Sequence, residues 1–398
     1  MSKQVASKLK MCAVAAAVAV LCSPVKAAPA DTTRVIVKFK PGAKAAMKSA
    51  AVGANATLQK EIFGMDAVAM EVPMTALKGL ENNPNVEYIE EDAKRYPLAL
   101  TTPSTGTPYA SGQAVPYGIK LVQADLLSDV NVGNRKVCII DSGYDRAHED
   151  LSGNVHTGEY DAGTGNWYTD ENSHGTHVAG TIAAINNSGV GVVGVNANRR
   201  LKLHIVKVFG ANGWAYSSDL AAAANKCRAA GANIISMSLG GPSGTTTESN
   251  AFATIASANI LSIAAAGNAG NSSMSYPAGY SSVVSVGAVD EYKAWASFSQ
   301  YNSKVELAGP GVSVYSTIPT SRGKYGYKSG TSMATPHVAA VAALVWSYYP
   351  TCTAAQIRST LGKSAQDLGT AGRDTKYGFG LVQAKAARDR IASLGCGN

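Results

Sequence analysis

The spacing of apolar residues changes character along the chain. From Met11 to Cys22 they run almost unbroken, behind Lys3, Lys8 and Lys10 and ahead of the small residues Ala27, Ala28 and Ala30. A basic start, an apolar run and a small-residue end make a secretory signal over residues 1–30, and the run is too short to span a bilayer. Alternation and helical spacing then take over. They predict strands at Arg34–Phe39, Ala67–Val72 and Val86–Glu90, helices at Ala43–Ala51 and Met74–Leu80, and a further short strand near Leu58. That order is a small α+β unit of the split βαβ, ferredoxin-like kind. Between Tyr96 and Gln113 the periodicity is lost among Thr, Pro, Ser and Gly, as in a linker.

Beyond Gln113, short apolar runs alternate with small-residue or amphipathic helical stretches: Val137–Ile140, His174–Ala184, Leu203–Val208, Asp219–Ala230, Ile234–Met237 and Ile260–Ala265. Alternating strands and helices predict an α/β fold with a doubly wound parallel sheet, in which function gathers at the carboxyl ends of the strands. The expected division is a signal at 1–30, a small domain with linker at 31–111 and an α/β domain at 112–398.

Composition narrows the function classes. The chain is 46% hydrophobic with 40 glycines, which suits a compact protein. Its formal charge of +8 owes much to Lys3, Lys8, Lys10, Lys26 and the stretch from Arg34 to Lys48, so it is a weak sign of nucleic-acid binding. No base-binding pattern appears, and no later apolar stretch approaches the ~18 residues of a membrane span. The expectation is a monomer with neither nucleic acid nor membrane anchor. Leu21 before Cys22 argues against lipoprotein processing. Loss of the signal removes Cys12 and Cys22 and leaves Cys138, Cys227, Cys352 and Cys396 in an oxidising compartment. Three pairings are open, with Cys138–Cys227 and Cys352–Cys396 favoured; Cys138 also reads as a small buried strand residue.

Three segments put reactive residues at element ends. Asp141-Ser142-Gly143 ends a strand, Asn172-Ser173-His174-Gly175-Thr176-His177 opens a helix, and Ser329-Gly330-Thr331-Ser332-Met333-Ala334 opens another. A serine hydroxyl is a poor nucleophile until an imidazole takes its proton and a carboxylate fixes the imidazole's tautomer. Asp141, His174 and Ser332 supply these groups, and Asp, His, Ser is a known chain order of the triad. A lone Asp-Ser-Gly is usually a turn and a lone Gly-Thr-Ser a helix cap; it is their combination that points to catalysis. His174 and His177 lack a third zinc ligand. His177 and His337 read as packing or hydrogen-bonding residues, and His148, His156 and His204 as surface or core histidines.

These motifs, with Ser236-Met237-Ser238-Leu239-Gly240-Gly241-Pro242 and Ala264-Ala265-Ala266-Gly267-Asn268, resemble those of subtilisin-like serine proteases over roughly residues 112–387. The resemblance implies a secreted, extracellular endopeptidase acting on polypeptides through an acyl-enzyme, without a catalytic cofactor. Asn268 and the Ser332 amide become oxyanion donors. Ser238, Leu239, Gly240, Ala265, Ala266 and Gly267 become walls of the pocket for the residue before the cut (P1), with Ser275 at its floor. Uncharged walls imply large apolar or aromatic P1 residues. The acidic loop from Ser152 to Asp170, with Glu159, Asp161, Asp170 and then Glu171, reads mainly as a solvated loop, with a mild bias toward basic substrates as its functional alternative.

The segments Arg34–Phe39 and Asn85–Asp92 resemble the inhibitory propeptide of that family, which assists folding and lays its tail along the cleft. A zymogen that cuts itself near Ser111 or after Tyr109 is expected, with Leu98 as an earlier alternative. The resemblance also implies a structural Ca²⁺ site from Gln113, Asp150 and Asn187 with carbonyls of Ile185, Val190 and Val192; an ordinary surface loop is the alternative. A noncatalytic peptide binder would lack a triad or oxyanion residue, and none is missing. A dedicated processing protease would show an acidic P1 or P2 pocket. An esterase would show Gly-x-Ser-x-Gly and the order Ser, Asp, His.

Overall fold

The computed structural model describes residues 31–43, 50, 53–98, 113–187 and 189–398. The first unit holds β1 (Thr32–Phe39), β2 (Thr57–Glu61), β3 (Ala67–Pro73) and β4 (Val86–Glu91), an antiparallel sheet in the order β2-β3-β1-β4. Alternation in β1 sends Val35, Val37 and Phe39 into a core with Val68, Met70 and Leu80. The opposite face presents Ile36, Ile62 and Ala67 to the second unit. Most of the helix expected at Ala43–Ala51 lies outside the described residues. The one expected at Met74–Leu80 is a 3₁₀ turn at Met74–Ala76 followed by a short helix at Leu77–Glu81.

Four more residues continue outward as β5 (Lys94–Pro97). The second unit is a seven-stranded parallel sheet formed by β6 (Lys136–Asp141), β7 (Val155–Tyr160), β8 (Lys202–Lys207), β10 (Ile234–Met237), β12 (Leu261–Ala265), β13 (Val283–Val289) and β14 (Val305–Pro310), in the order β14-β13-β12-β10-β6-β8-β7. The doubly wound α/β expectation holds. One reading of the sequence is corrected here: residues 152–170 are not simply a loop, because β7 lies within them as the edge strand. Its sequence VHTGEY has almost no apolar alternation, since an edge strand half open to water needs little.

Two-residue strands β9 (Ala215–Tyr216) and β11 (Leu239–Gly240) stand beside the sheet. The helices that matter for the site are α1 (His174–Ala183), α2 (Ser217–Ala229), α3 (Thr246–Ser257) and α4 (Thr331–Tyr348). Helix α4 is rich in Ala and Val all round and is buried along nearly its whole length, so it forms the core of the domain rather than its skin. Both favoured disulfides form, Cys138–Cys227 with Cα atoms 5.7 Å apart and Cys352–Cys396 at 5.6 Å. The first ties β6, which carries Asp141, to α2. No helix among the described residues is long and apolar enough to cross a membrane.

Candidate active site

Each reactive residue sits where the backbone runs out of regular structure. Asp141 is the last residue of β6, His174 the first of α1 and Ser332 the second of α4. Asp170 fixes the start of α1: it accepts from the backbone of Asn172, Ser173 and Thr176 and from the hydroxyls of Ser142 and Thr176, at 2.6–3.1 Å. A carboxylate there satisfies the orphan amides of the first turn. Through Ser142 it also ties the helix to the turn after Asp141, because Gly175 N–H donates to Ser142 Oγ at 2.9 Å. Asp170 thus belongs to the scaffold of the site and not to a solvated loop. The role escapes a sequence reading because Asp170 precedes the motif and its partners are mostly backbone.

His174 Nδ1 donates to Asp141 Oδ1 at 2.7 Å, and both residues are buried. With the proton on Nδ1, Nε2 is the basic nitrogen. It is buried without a hydrogen-bond partner among the described residues. Ser332 Oγ instead donates to the carbonyl of Ser238 at 2.8 Å. Asp141 and His174 are therefore joined, while the Ser332 hydroxyl is held by a neighbouring carbonyl; bonds of a catalytic kind often tighten only with substrate in place. Pro336 contributes to a second contact between Ser332 and Ser238. Lacking an N–H, it leaves the Ser332 carbonyl without its helical partner, and Ser238 Oγ donates to that carbonyl at 2.7 Å.

Strand β5 lies in the cleft. It pairs antiparallel with β11 on one side, Pro97 opposite Leu239 and Tyr96 opposite Gly240, and with β9 on the other, Arg95 opposite Ala215. Leu98 then donates its N–H to the Ser238 carbonyl at 3.3 Å, the same oxygen that holds Ser332 Oγ, so the nucleophile stands beside the Leu98 peptide. The Asn268 amide nitrogen donates to the Leu98 carbonyl. Asn268 is itself aimed by Thr331, whose N–H and hydroxyl donate to its Oδ1 at 2.9 and 2.8 Å. Thr331 was visible in the sequence only as part of a motif, with no role attached.

Of the expected pocket residues, Ser238 and Gly240 stand at Leu98, with Ser275 next to Gly240. A side chain on Gly240 would run into Ser275 Oγ and the Leu98 methyl, so the missing Cβ is what admits the leucine. Ala265 ends β12 and is followed by Ala266 and Gly267. Gly267 has φ 110°, and Gln300 fills the space a Cβ would need. Glu159, Asp161 and Glu171 of the acidic loop region find partners within the fold: Asp161 with Lys60 and Lys226, Glu171 with Lys207, and Glu159 near His204 and Lys226.

His177 and His337 are held by backbone carbonyls. His177 Nε2 donates to the carbonyls of Val314 and Gly326, and burial holds its imidazole neutral, well below the usual range. His337 Nδ1 donates to the Met333 carbonyl, and burial brings it down to about 4.

Away from the cleft, the Gln113 amide nitrogen stands 2.7–3.1 Å from three oxygens, Ile185 O, Asn187 Oδ1 and Val192 O. Asp150 closes the same loop by accepting from Asn187 Nδ2 and Val192 N–H, both at 2.8 Å. Uncharged oxygens converging on one point beside a carboxylate suit a hard cation such as Ca²⁺. Val190 stands on the same loop.

The comparisons with known proteins agree with this geometry. The model of the subtilase family matches residues 133–380, and that of the fervidolysin N-terminal prodomain matches residues 32–92. Subtilisin amylosacchariticus of Bacillus subtilis subsp. amylosacchariticus is 40% identical over 349 residues, covering 83% of this chain and 82% of that relative. Subtilisin DY of Bacillus licheniformis is 43% identical over 281 residues, covering 69% and 99%. Among solved structures, the psychrophilic subtilisin-like protease of an Antarctic Pseudoalteromonas superposes with a TM-score of 0.67 at 35% identity, over 72% of this chain and 100% of that one. Fervidolysin of Fervidobacterium pennivorans, described as a keratinolytic enzyme related to subtilisin, gives 0.77 at 26% identity, over 90% and 61%. With matching motifs, fold and prodomain, the chain belongs to the subtilase family and is a subtilisin-like serine endopeptidase with an N-terminal prodomain.

Proposed function

We propose that this protein is exported as an inactive precursor, makes its first cut in itself after Leu98, and then acts outside the cell as a monomeric, calcium-stabilised endopeptidase that prefers large apolar or aromatic P1 residues. The observation that carries the reading is the Leu98 peptide, whose N–H donates to Ser238 and whose carbonyl accepts from Asn268. That is how a P1 residue would be held. Export is supported by the basic-apolar-small pattern of residues 1–30 and by two disulfides.

In the proposed reaction His174 Nε2 takes the proton of Ser332 Oγ as that oxygen attacks the P1 carbonyl. Asp141 keeps the imidazole in the required tautomer and stabilises its charged form. The Asn268 amide and the Ser332 N–H bind the oxyanion. His174 returns the proton to the leaving amine, and water then cleaves the acyl-enzyme with His174 again as base. Substrates would enter as β5 does, as an added strand between β9 and β11. Removal of residues 99–111, by a second cut near Ser111 or after Tyr109, would set Gln113 at the start of the mature chain; both cuts lie outside the described residues. Gln113, Asp150 and Asn187 with carbonyls of Ile185, Val190 and Val192 would hold Ca²⁺, which would fasten that start to the loop. Asp31 to Leu98 would serve as the inhibitor and folding aid.

The test is intact mass and peptide hydrolysis for wild type and Ser332→Ala, exported with calcium present. Wild type should yield fragments that meet at Leu98–Ala99, and Ser332→Ala should stay uncut. Maturation of purified Ser332→Ala would overturn the mechanism.

A further inference from the structure

Arg95 lies three residues before Leu98, on the strand that fills the cleft. Its side chain is fully buried, and so is the carboxylate it meets, Glu248, the third residue of α3. The two form a fork: Nε donates to Oε1 at 3.0 Å and Nη2 to Oε2 at 2.6 Å, while Nη1 closes on the Lys94 carbonyl at 2.9 Å. Tyr280 donates its hydroxyl to Glu248 Oε2 at 2.6 Å. Thr245 caps the helix and accepts from the Glu248 N–H, which fixes where the carboxylate stands. Gly241 makes room, because a Cβ there would press on the Lys94 carbonyl and the Arg95 guanidinium.

This pocket is built half by each unit. The carboxylate, its tyrosine and its glycine belong to the catalytic domain; the cation belongs to the segment that the proposed first cut releases. A buried ion pair is tolerable while both partners are present, and losing one leaves a buried charge uncompensated. No other ion pair to Glu248 forms among the described residues. Once β5 departs, the cleft keeps a carboxylate aimed at the side chain of whichever residue enters three positions before P1.

We infer that Glu248 makes the mature enzyme select arginine at P4, so that its preferred substrates combine a large apolar P1 with a basic residue three positions upstream. The inference rests on the reading of Leu98 as P1. The planar fork favours arginine over lysine, because only guanidinium meets both carboxylate oxygens in parallel. An uncharged S1 slot thus coexists with an acidic S4 slot, and charge selectivity enters away from the scissile bond.

The experiment uses mature wild-type enzyme and quenched fluorescent peptides copying residues 94–101, with Arg, Lys or Phe at the position of Arg95. The Arg peptide should exceed the Phe peptide in kcat/KM by about tenfold or more, the scale of hydrogen bonds to a charged group, with Lys between them. In Glu248→Gln the Arg-to-Phe ratio should fall toward one; because it is taken within one enzyme, a general loss of activity cancels. Equal or faster cleavage of the Phe peptide by wild type would overturn the inference while leaving the protease intact, and would confine the pair to holding the prodomain. Cleavage of the Arg peptide at a bond other than Leu98–Ala99 would overturn the P1 assignment, and the inference with it.

Discussion

The side-chain amide of Asn268 donates to the carbonyl of Leu98, so the catalytic domain already grips the segment that the proposed first cut would release. With Asn268 as the proposed oxyanion donor, one contact would serve two events, self-cleavage and later turnover. Replacing the donor should slow both alike. Asn268→Ala is expected to lower kcat by about 10²–10³-fold, the loss known for the corresponding donor of subtilisin itself, with KM little changed. Burst-phase maturation kinetics and peptide hydrolysis on the same preparation would check it; slow turnover with normal maturation would separate the two events.

In the proposed reaction Thr331 would act through Asn268, as a positioning residue. Its N–H and hydroxyl both donate to Asn268 Oδ1, and Gly267 N–H donates to Thr331 Oγ1 at 3.2 Å. Thr331→Val keeps the shape and the backbone bond but removes the hydroxyl. The expected result is a drop of roughly tenfold in kcat, the scale of one hydrogen bond, at nearly constant KM. Thr331→Ser should restore most of it.

What could be read from the sequence divides along a physical line. The motifs around Asp141, His174, Ser332 and Asn268 mark the family in the sequence, and the structure joins Asp141 to His174; the catalytic roles follow from the resemblance and belong to the proposal. Glu248 was not legible: its meaning depends on Arg95, 153 residues earlier, and no local pattern announces a pairing at that distance. Leu98 read only as an alternative cut site in an aperiodic linker, and its place in the cleft came with the pairing of β5 to β9 and β11. Strand β7 was hidden by its exposed edge.

Asp92 ties the two units together. It accepts from Ser218 N–H at 3.0 Å and from the hydroxyls of Ser218 and Ser217 at 2.7 and 3.2 Å, at the start of α2, while Arg34 pairs with it at 2.9 Å. Glu90 does the same at α3, accepting from Thr246 and Thr247 N–H. Carboxylates at helix N-termini are favoured by the orphan amides and the dipole. Asp92→Ala should weaken retention of the cleaved prodomain by at least about tenfold, seen as a shorter lag in casein hydrolysis after the first cut.

Calcium should stabilise the mature domain by mass action. At a free concentration one hundred times the dissociation constant, a cation bound only by the native state adds about 2.7 kcal/mol. Chelation should lower the Tm of the mature enzyme and leave Asn187→Ala unchanged. An equal chelator effect on both would remove Gln113, Asp150 and Asn187 from the proposed site.

The last prediction concerns acid. His337 is buried on α4, and burial lowers its imidazole to about 4, against an ordinary value of 6.5. A group whose folded value is depressed binds its proton more readily when unfolded, so acid favours unfolding. The contribution is present above pH 6.5 and is lost as pH falls from 6.5 toward 4. At pH 5 the gap amounts to about 2 kcal/mol. His177, also buried and lowered, acts in the same direction. Thermal melting of Ser332→Ala, which avoids self-digestion, should show Tm falling between pH 6.5 and 4 and flat between 7 and 8. His337→Gln cannot gain that proton, so its curve should start lower at pH 7 yet fall less steeply on acidification; an unchanged slope would move the acid sensitivity to other groups.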